Sequence, residues 1–349
     1  MTADGDAVAV VRSASWDGSA SPRIAALIAT YRRAENLPEL LAALDAQSLS
    51  VEGMEVVIAD NGSNDATWPL LEEWVAVTRR RACAVRIDEN RGPARGRNVG
   101  AAHVRAPIIA ITDDDCLPTP TWLAGVVSAF ADPQVSVVQG RVEADPRHRD
   151  EMGPWDHTIW VTVPTPYFET CNVAYRSDAF AAAGGFDEDD PLLHPAAGHA
   201  FGEDACLAWT VLSAGGERAF VDSAVVYHRC VPSTFRAWLD GQRRLADFPG
   251  LATRSPLVAR SFWGQVFLDR TSAVFDLAVL GVLGGVALRR PWLLLLALPW
   301  ARQRWSLARR RTHASRAEAI PVAAGLAVSD AVALASKLEG SVRHRRLLL

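Results

Sequence analysis

From residue 23 onward, short apolar runs alternate with helix-length amphipathic stretches. RIAALIAT (23–30), MEVVIAD (54–60) and CAVRID (83–88) read as strands, and APIIAITD (106–113) as a fourth strand buried on both faces. Between them, AENLPELLAALDAQS (34–48), DATWPLLEEWVAVTRR (65–80) and GPARGRNVGAAHV (92–104) carry helical spacing. Pro69 falls in the first turn of the second, where a helix tolerates it. Strand and helix alternating at this pace predict βαβ units and an α/β fold with a mostly parallel central sheet. Ligands bind beyond the carboxyl ends of such strands. The first, second and fourth strands end in Thr30, Asp60 and Asp113.

After Pro118 the regularity weakens. A helix is expected over 121–132 and a strand over 135–144, followed by a loop-like segment, 145–170, rich in proline, histidine and aromatics. Further helices are expected over 177–183, 203–214 and 232–247. The last third changes character: residues 272–288 are apolar apart from Asp276, RRP interrupts, WLLLLALPW (292–300) resumes, and an arginine-rich stretch spans 302–316. A membrane span needs about 20 apolar residues, and neither apolar piece reaches that. Two readings stay open: core helices of a helical appendage, or a hairpin lying in a cytoplasmic leaflet with Trp292, Trp300 and Trp305 at interfacial depth and the arginines on anionic headgroups. An alanine-rich helix over 317–338 fits either.

Composition narrows the class. With 349 residues, 49% hydrophobic and 22% charged, the chain is globular, and a net charge of −4 argues against nucleic acid as a partner. Charge is uneven: acids gather around 60–73, 113–115 and 187–204, arginines toward the end, and Lys337 is the single lysine. Arginine in place of lysine reads as the codon bias of a GC-rich genome. The five cysteines form no C-x-x-C pair, which favours reduced thiols in the cytosol. Residues 1–22 lack a basic stretch followed by an apolar core, so a flexible lead-in is expected there rather than a signal peptide.

The chemistry concentrates in ITDDDCLP (111–118). Three adjacent acids raise one another's pKa unless a cation sits among them. On an extended segment Asp113 and Asp115 point the same way and converge on one ligand, while Asp114 faces elsewhere. Hard divalent cations prefer such oxygens and share them with phosphates.

ALIATYRRAENLPELLAAL, VVIADNGSNDAT, NRGPARGRNVGAA, ITDDDCLP and FGEDACLAW follow one another over roughly 23–230. Together they resemble the family 2 glycosyltransferases of the GT-A fold, a Rossmann-like α/β fold with helices on both faces of the sheet. The resemblance implies that Thr30 lines the nucleotide pocket, that Asp60 accepts a hydrogen bond from the base, and that Asn90, Gly92, Arg97 and Asn98 lie beside base and ribose. Asp113 and Asp114 fall on the nucleotide-sugar side, with Asp115, Asp113 and His228 holding a divalent Mn²⁺ or Mg²⁺. Asp204 is the general base, with Glu203 beside it, and the turn GGFDE (184–188) shapes the donor-sugar pocket. The implied domains are a nucleotide-sugar-binding half over 23–145, an acceptor half over 146–250 and a helical extension over 251–349.

The implied reaction is one inverting displacement: a divalent metal stabilises the leaving nucleoside diphosphate while a carboxylate on the opposite face activates a hydroxyl. A nucleotide-diphosphate sugar, UDP-linked by preference, is the expected donor, and a glycan or lipid-linked acceptor at the inner face of the plasma membrane the expected partner. AWLDGQRRLADF (237–248) lacks the tryptophan of the Q-x-x-R-W element of processive members, so one sugar or few are expected to be added. Two alternatives stand beside this: a non-catalytic, membrane-anchored carbohydrate-binding protein of the same fold, and a nucleotidyltransferase, for which ATYRRAENLP lacks the glycine- and lysine-containing loop.

Overall fold

The computed structural model describes residues 7–17, 21–190, 201–312 and 316–349. The chain forms two compact units, one of residues 1–147 and 158–229, the other of 148–157 and 230–349. The boundary expected at 250/251 falls inside a helix of the second unit. Part of the acidic stretch 187–204 and of the arginine-rich stretch 302–316 lies outside the described residues.

The first unit is built on β1 (Ala7–Arg12), β2 (Ile24–Thr30), α1 (Leu37–Asp45), β3 (Met54–Asp60), α2 (Thr67–Val77), β4 (Arg81–Ile87), α3 (Pro93–Ala101), β5 (Ile108–Ile111), β6 (Cys116–Pro118), α4 (Trp122–Ala129), β7 (Val135–Ala144), β8 (Val173–Arg176), α5 (Ser177–Ala182), α6 (Glu203–Ser213) and β9 (Glu217–His228). One sheet runs β1-β4-β3-β2-β5-β8-β7-β9-β6. Its four central strands, β4, β3, β2 and β5, are parallel, as the alternation predicts. Beyond them the sheet is more mixed than expected: β8 is antiparallel to β5 and β7, β6 is antiparallel to β9, and only β7 and β9 run together. A four-residue apolar strand is buried whichever way it runs, so its sequence does not report direction.

Period-two alternation divides the core. Ile24, Ala26 and Ile28 of β2 face one side with Val56 and Ile58, and there meet α1 through Leu40 and Leu44, α2 through Leu71 and Trp74, and α4 through Trp122 and Val126. Leu27, Val57 and Val85 face the other side, against Val99 of α3, Phe180 of α5 and Leu207 and Val211 of α6. Helices thus cover both faces and leave the carboxyl edge of the parallel strands open to a ligand.

The expected flexible lead-in is a correction. Ala7–Arg12 adds an edge strand antiparallel to β4, and Trp16 is buried, its carbonyl bonded by Arg81 and its ring stacked under Arg105 at 4.8 Å. Alternating alanine and valine is a weak strand signal without its partner.

The second unit is helical: α7 (Phe235–Arg243), α8 (Phe248–Arg254), α9 (Pro256–Ser261), α10 (Arg270–Ala287), a tight 3₁₀ segment Pro291–Ala297, α11 (Leu298–Thr312) and α12 (Arg316–Arg343). Ala308, Ala319, Val322 and Leu326 form its core with Trp155. Leu293 and Leu296 of the 3₁₀ segment close over Gly281 of α10. Two helices, 270–287 and 317–344, are long and apolar enough to cross a membrane. The outer face of α10 is exposed, with Leu280 at 67%, Leu283 at 62% and Val286 at 73%.

Candidate active site

Thr30 and Asp60 are register partners at the ends of β2 and β3, both buried. Asp60 Oδ1 accepts from the Ser63 hydroxyl and from Ser63 N at 3.1 Å, whereas Oδ2 is enclosed without a hydrogen-bond partner, 3.9 Å from Arg86 Nε. Desolvation pushes this carboxyl up against the pull of Ser63 and Arg86. A buried acceptor left without a donor is costly in the protein alone and fits a ligand N–H.

Asn90 Oδ1 accepts from Gly92 N at 2.9 Å, and Gly92 stands at φ 95°, a left-handed conformation that only glycine adopts readily, before Pro93 opens α3. Asn98, expected beside the ribose, is directed inward. Its amide donates to Phe186 O at 2.8 Å and Glu188 Oε1 at 2.6 Å and accepts from Phe186 N. It therefore holds the GGFDE turn on α3. Gly185 has φ 75°, and a Cβ there would come within 2.6 Å of Asn98 Oδ1, which accounts for the second glycine of the turn. Arg95 adds a bond to Glu188 at 3.1 Å.

Arg97 is the hub rather than a flanking group. It is 5% exposed, donates to Asp113 Oδ1 at 2.6 Å and Thr170 Oγ1 at 2.9 Å, and lies 3.6 Å from Glu203 Oε1. Asp113, Glu203 and Asp204 together hold its pKa up against desolvation. The DDD segment and the start of α6 therefore meet through one guanidinium.

The three acids do not alternate as expected. The chain leaves β5 and turns at 114–115 before β6, so side-chain alternation does not apply. Asp113 goes to Arg97 and, at 3.4 Å, to Thr170. Asp114 pairs with Arg33 Nε at 3.2 Å; desolvation, offset by Arg33, leaves its carboxyl pushed up to about 6. Asp115 Oδ1 lies 3.6 Å from His228 Nε2 and 3.8 Å from the Cys116 thiol.

Pairing of Cys116 with His228 across β6 and β9 sets that last contact. His228 Nδ1 lies 2.9 Å from the Arg229 carbonyl, which can only accept, so Nδ1 carries the hydrogen and, in the neutral ring, the lone pair sits on Nε2 toward Asp115. A lone pair facing a carboxylate fits a cation between them, and the backbone bond to Nδ1 is the usual support of a ligating histidine. Among the described residues, Asp115, Cys116 and His228 form the one such cluster. Asp113, expected to share the metal, is not in it. Burial keeps the Cys116 thiol protonated, so the donors for a hard cation are Asp115 and His228.

Glu203 is buried and Asp204 partly exposed in the first turn of α6. Desolvation, then Glu203 and Glu169, push the Asp204 carboxyl well above the usual range. Glu169 accepts from Gln139 and Thr165, both at under 3 Å in the same network. Glu169, Thr170 and Gln139 were not singled out from sequence; the polar interruption FETCN between aromatic and strand residues was the available signal.

This is a GT-A architecture: a doubly covered sheet whose open edge gathers an acid pair beside a carboxylate–histidine pair. The solved mannosyltransferase PcManGT of Pyrobaculum calidifontis, in complex with GDP-Man and Mn²⁺, shares the fold with TM-score 0.55 and 21% identity over 92% of this chain and 88% of that one. TarS of S. aureus shares it with TM-score 0.50 and 14% identity over 93% and 92%. Residues 25–186 match the model of glycosyl transferase family 2, and this stretch belongs to that family. Among curated relatives, the pre-mycofactocin glycosyltransferase of Mycobacterium tuberculosis is 26% identical over 51% of this chain and 38% of its own length. The validoxylamine A glucosyltransferase of Streptomyces hygroscopicus is 28% identical over 48% of each. The chain thus spans less than half the length of these relatives. Glu203, Asp204 and His228 lie beyond the family match and rest on the geometry above.

Proposed function

We propose that the chain is an inverting glycosyltransferase that moves a sugar from a nucleotide diphosphate to a hydroxyl acceptor. The observation that supports this reading best is the bridge that Arg97 makes from Asp113 of the DDD segment to Glu203 at the start of α6, with Asp115 of the same segment facing His228. Asp60 Oδ2 accepts the ring N–H of the base, a donor that uracil and guanine carry and adenine and cytosine lack, with Thr30 and Asn90–Gly92 beside it. Asp115 and His228 hold a divalent cation, Mn²⁺ or Mg²⁺. Bound there, it supplies electrostatic stabilisation of the departing diphosphate. Asp204, in its ionised form, takes the proton of the acceptor hydroxyl. Arg97 neutralises Asp113 and Glu203, so these acids stand close without expelling one another's charge. Transfer to an envelope or lipid-linked glycan at the inner face of the plasma membrane is supported by the exposed leucines of α10 and the flanking Arg289 and Arg290.

The test is a panel of nucleotide sugars with Mn²⁺ or Mg²⁺, read as thermal stabilisation and then as donor hydrolysis. Stabilisation by one donor that needs the metal is expected; no response to any donor overturns the reading. A non-catalytic carbohydrate binder would bind sugar and release no nucleotide.

A further inference from the structure

Residues 158–169 form a strap along the candidate active site. At its start, Thr158 Oγ1 donates to the His228 carbonyl at 3.3 Å. At its end, Glu169 accepts from Thr165 Oγ1 at 2.7 Å and from Gln139 Nε2 at 2.9 Å, next to Thr170, which accepts from Arg97. In between, Val161 exchanges two backbone bonds with Val142 of β7, at 2.9 and 3.0 Å. The Pro166 carbonyl accepts from Trp209 Nε1 of α6, the helix that carries Glu203 and Asp204. The strap thus runs from the Asp115–His228 pair toward the Glu203–Asp204 helix and is fastened along its length.

The bridge to β7 fixes which way its side chains point. Ile159 and Val161 turn onto the core that holds Val142, so Trp160 between them points to the opposite face, where it is 49% exposed. Antiparallel pairing of Val161 with Val142 sets Trp160 opposite Glu143, and Glu143 is the register partner of Tyr227 on β9. An indole, a carboxylate and a phenol therefore stand in one row across three adjacent strand segments, about 10 Å wide. Gln139 lies on the same face of β7, about 13 Å back along the strand, where it bonds Glu169. Glu143 accepts from Arg141 Nε through Oε1, which leaves Oε2 for a ligand. A lone exposed tryptophan is ordinary on a protein surface. This one is held on a pinned strap, beside a carboxylate and in line with the reaction centre.

We propose that the row Trp160–Glu143–Tyr227 is an acceptor subsite that takes a saccharide of more than one ring. The indole face, rich in electron density, stacks on the apolar C–H face of a pyranose. Glu143 Oε2 accepts from a sugar hydroxyl, and the Tyr227 hydroxyl donates to or accepts from another. The offset between this row and Gln139 separates the ring on Trp160 from the ring whose hydroxyl meets Asp204, so the acceptor is an oligosaccharide or glycan chain rather than a free monosaccharide. A strap already fixed by its backbone bonds loses little freedom when the chain docks. The place of this row in the reaction rests on the glycosyl-transfer reading.

The full chain is screened on an array of defined glucans, mannans, galactans and chitin oligosaccharides, from single sugars to hexasaccharides, and each hit is titrated by calorimetry. Binding that strengthens from one ring to several is expected, weakened at least about tenfold in W160A and retained in W160F. W263A removes an equally exposed indole from the helical unit and is expected to bind as the parent does. No binding to any glycan, or binding equal in the parent and W160A, overturns the subsite; if W160A fails to fold, E143A decides on the same terms. Metal-dependent donor hydrolysis by the same proteins separates the two readings. Hydrolysis by a parent whose glycan binding is indifferent to Trp160 removes the subsite alone, whereas no response to any donor removes the glycosyl-transfer reading whatever the glycans do.

Discussion

Asp113, Asp114 and Asp115 coexist because each faces a different counterpart: Arg97, Arg33 and the His228 edge. Their crowding was legible as a demand for positive charge, but its division among three partners was not, because the turn at 114–115 is set by β6 pairing with a strand a hundred residues away. On the proposed mechanism, D204N should lower transfer by about 10²- to 10⁴-fold while donor affinity persists. Single-turnover transfer measured beside calorimetric donor binding checks this; equal turnover would remove Asp204 from the role of base. Away from the site, Glu55 is fully buried and accepts from Arg105 N at 2.7 Å and Ala106 N at 2.8 Å, and desolvation raises its pKa. A raised carboxyl pKa in the fold stabilises it below the unfolded value, and that contribution is lost as pH rises through the folded one. E55Q carries no charge to desolvate, so its melting temperature relative to the parent should climb between about pH 4 and neutrality. A constant difference across that range would contradict the sign.

At the scale of elements, the four parallel strands and their helices were readable because apolar runs and amphipathic stretches alternate without interruption from 23 to 113. β1 and β6 were hidden, being short or dependent on partners remote in sequence. The stretch NRGPARGRN also carried more than one job: Arg97 reaches the acids, whereas Asn98 fastens the GGFDE turn. G185A should therefore destabilise that turn, by strain of about 1–2 kcal/mol in the left-handed region plus displacement of Asn98. Loss of melting temperature together with weaker donor affinity is the expected pair of readings. At the other edge, H228A removes the nitrogen opposite Asp115, and Mn²⁺ affinity measured by calorimetry should fall at least about tenfold. Unchanged affinity would place the cation elsewhere.

For the molecule as a whole, the chain divides into two compact units after Arg229, with 148–157 counted in the second, and the proposed function would give them separate tasks. Residues 1–229 should remain folded and bind nucleotide sugar, while association with anionic vesicles should stay with the full chain; flotation assays on both compare them directly. Vesicle binding by 1–229 equal to that of the full chain would rule out the helical unit as the membrane contact. The three-residue pairing of β6 with β9 has a consequence in time. A chain emerging from the ribosome completes Thr30, Asp60 and Asp115 long before His228 exists, and no product that stops short of β9 brings Cys116 and His228 into register. On the proposed mechanism, the residues that would hold the nucleotide stand ahead of β9 in the chain, whereas the Asp115–His228 pair forms only when that last strand arrives. Prematurely ended chains would then keep the first set and lack the second.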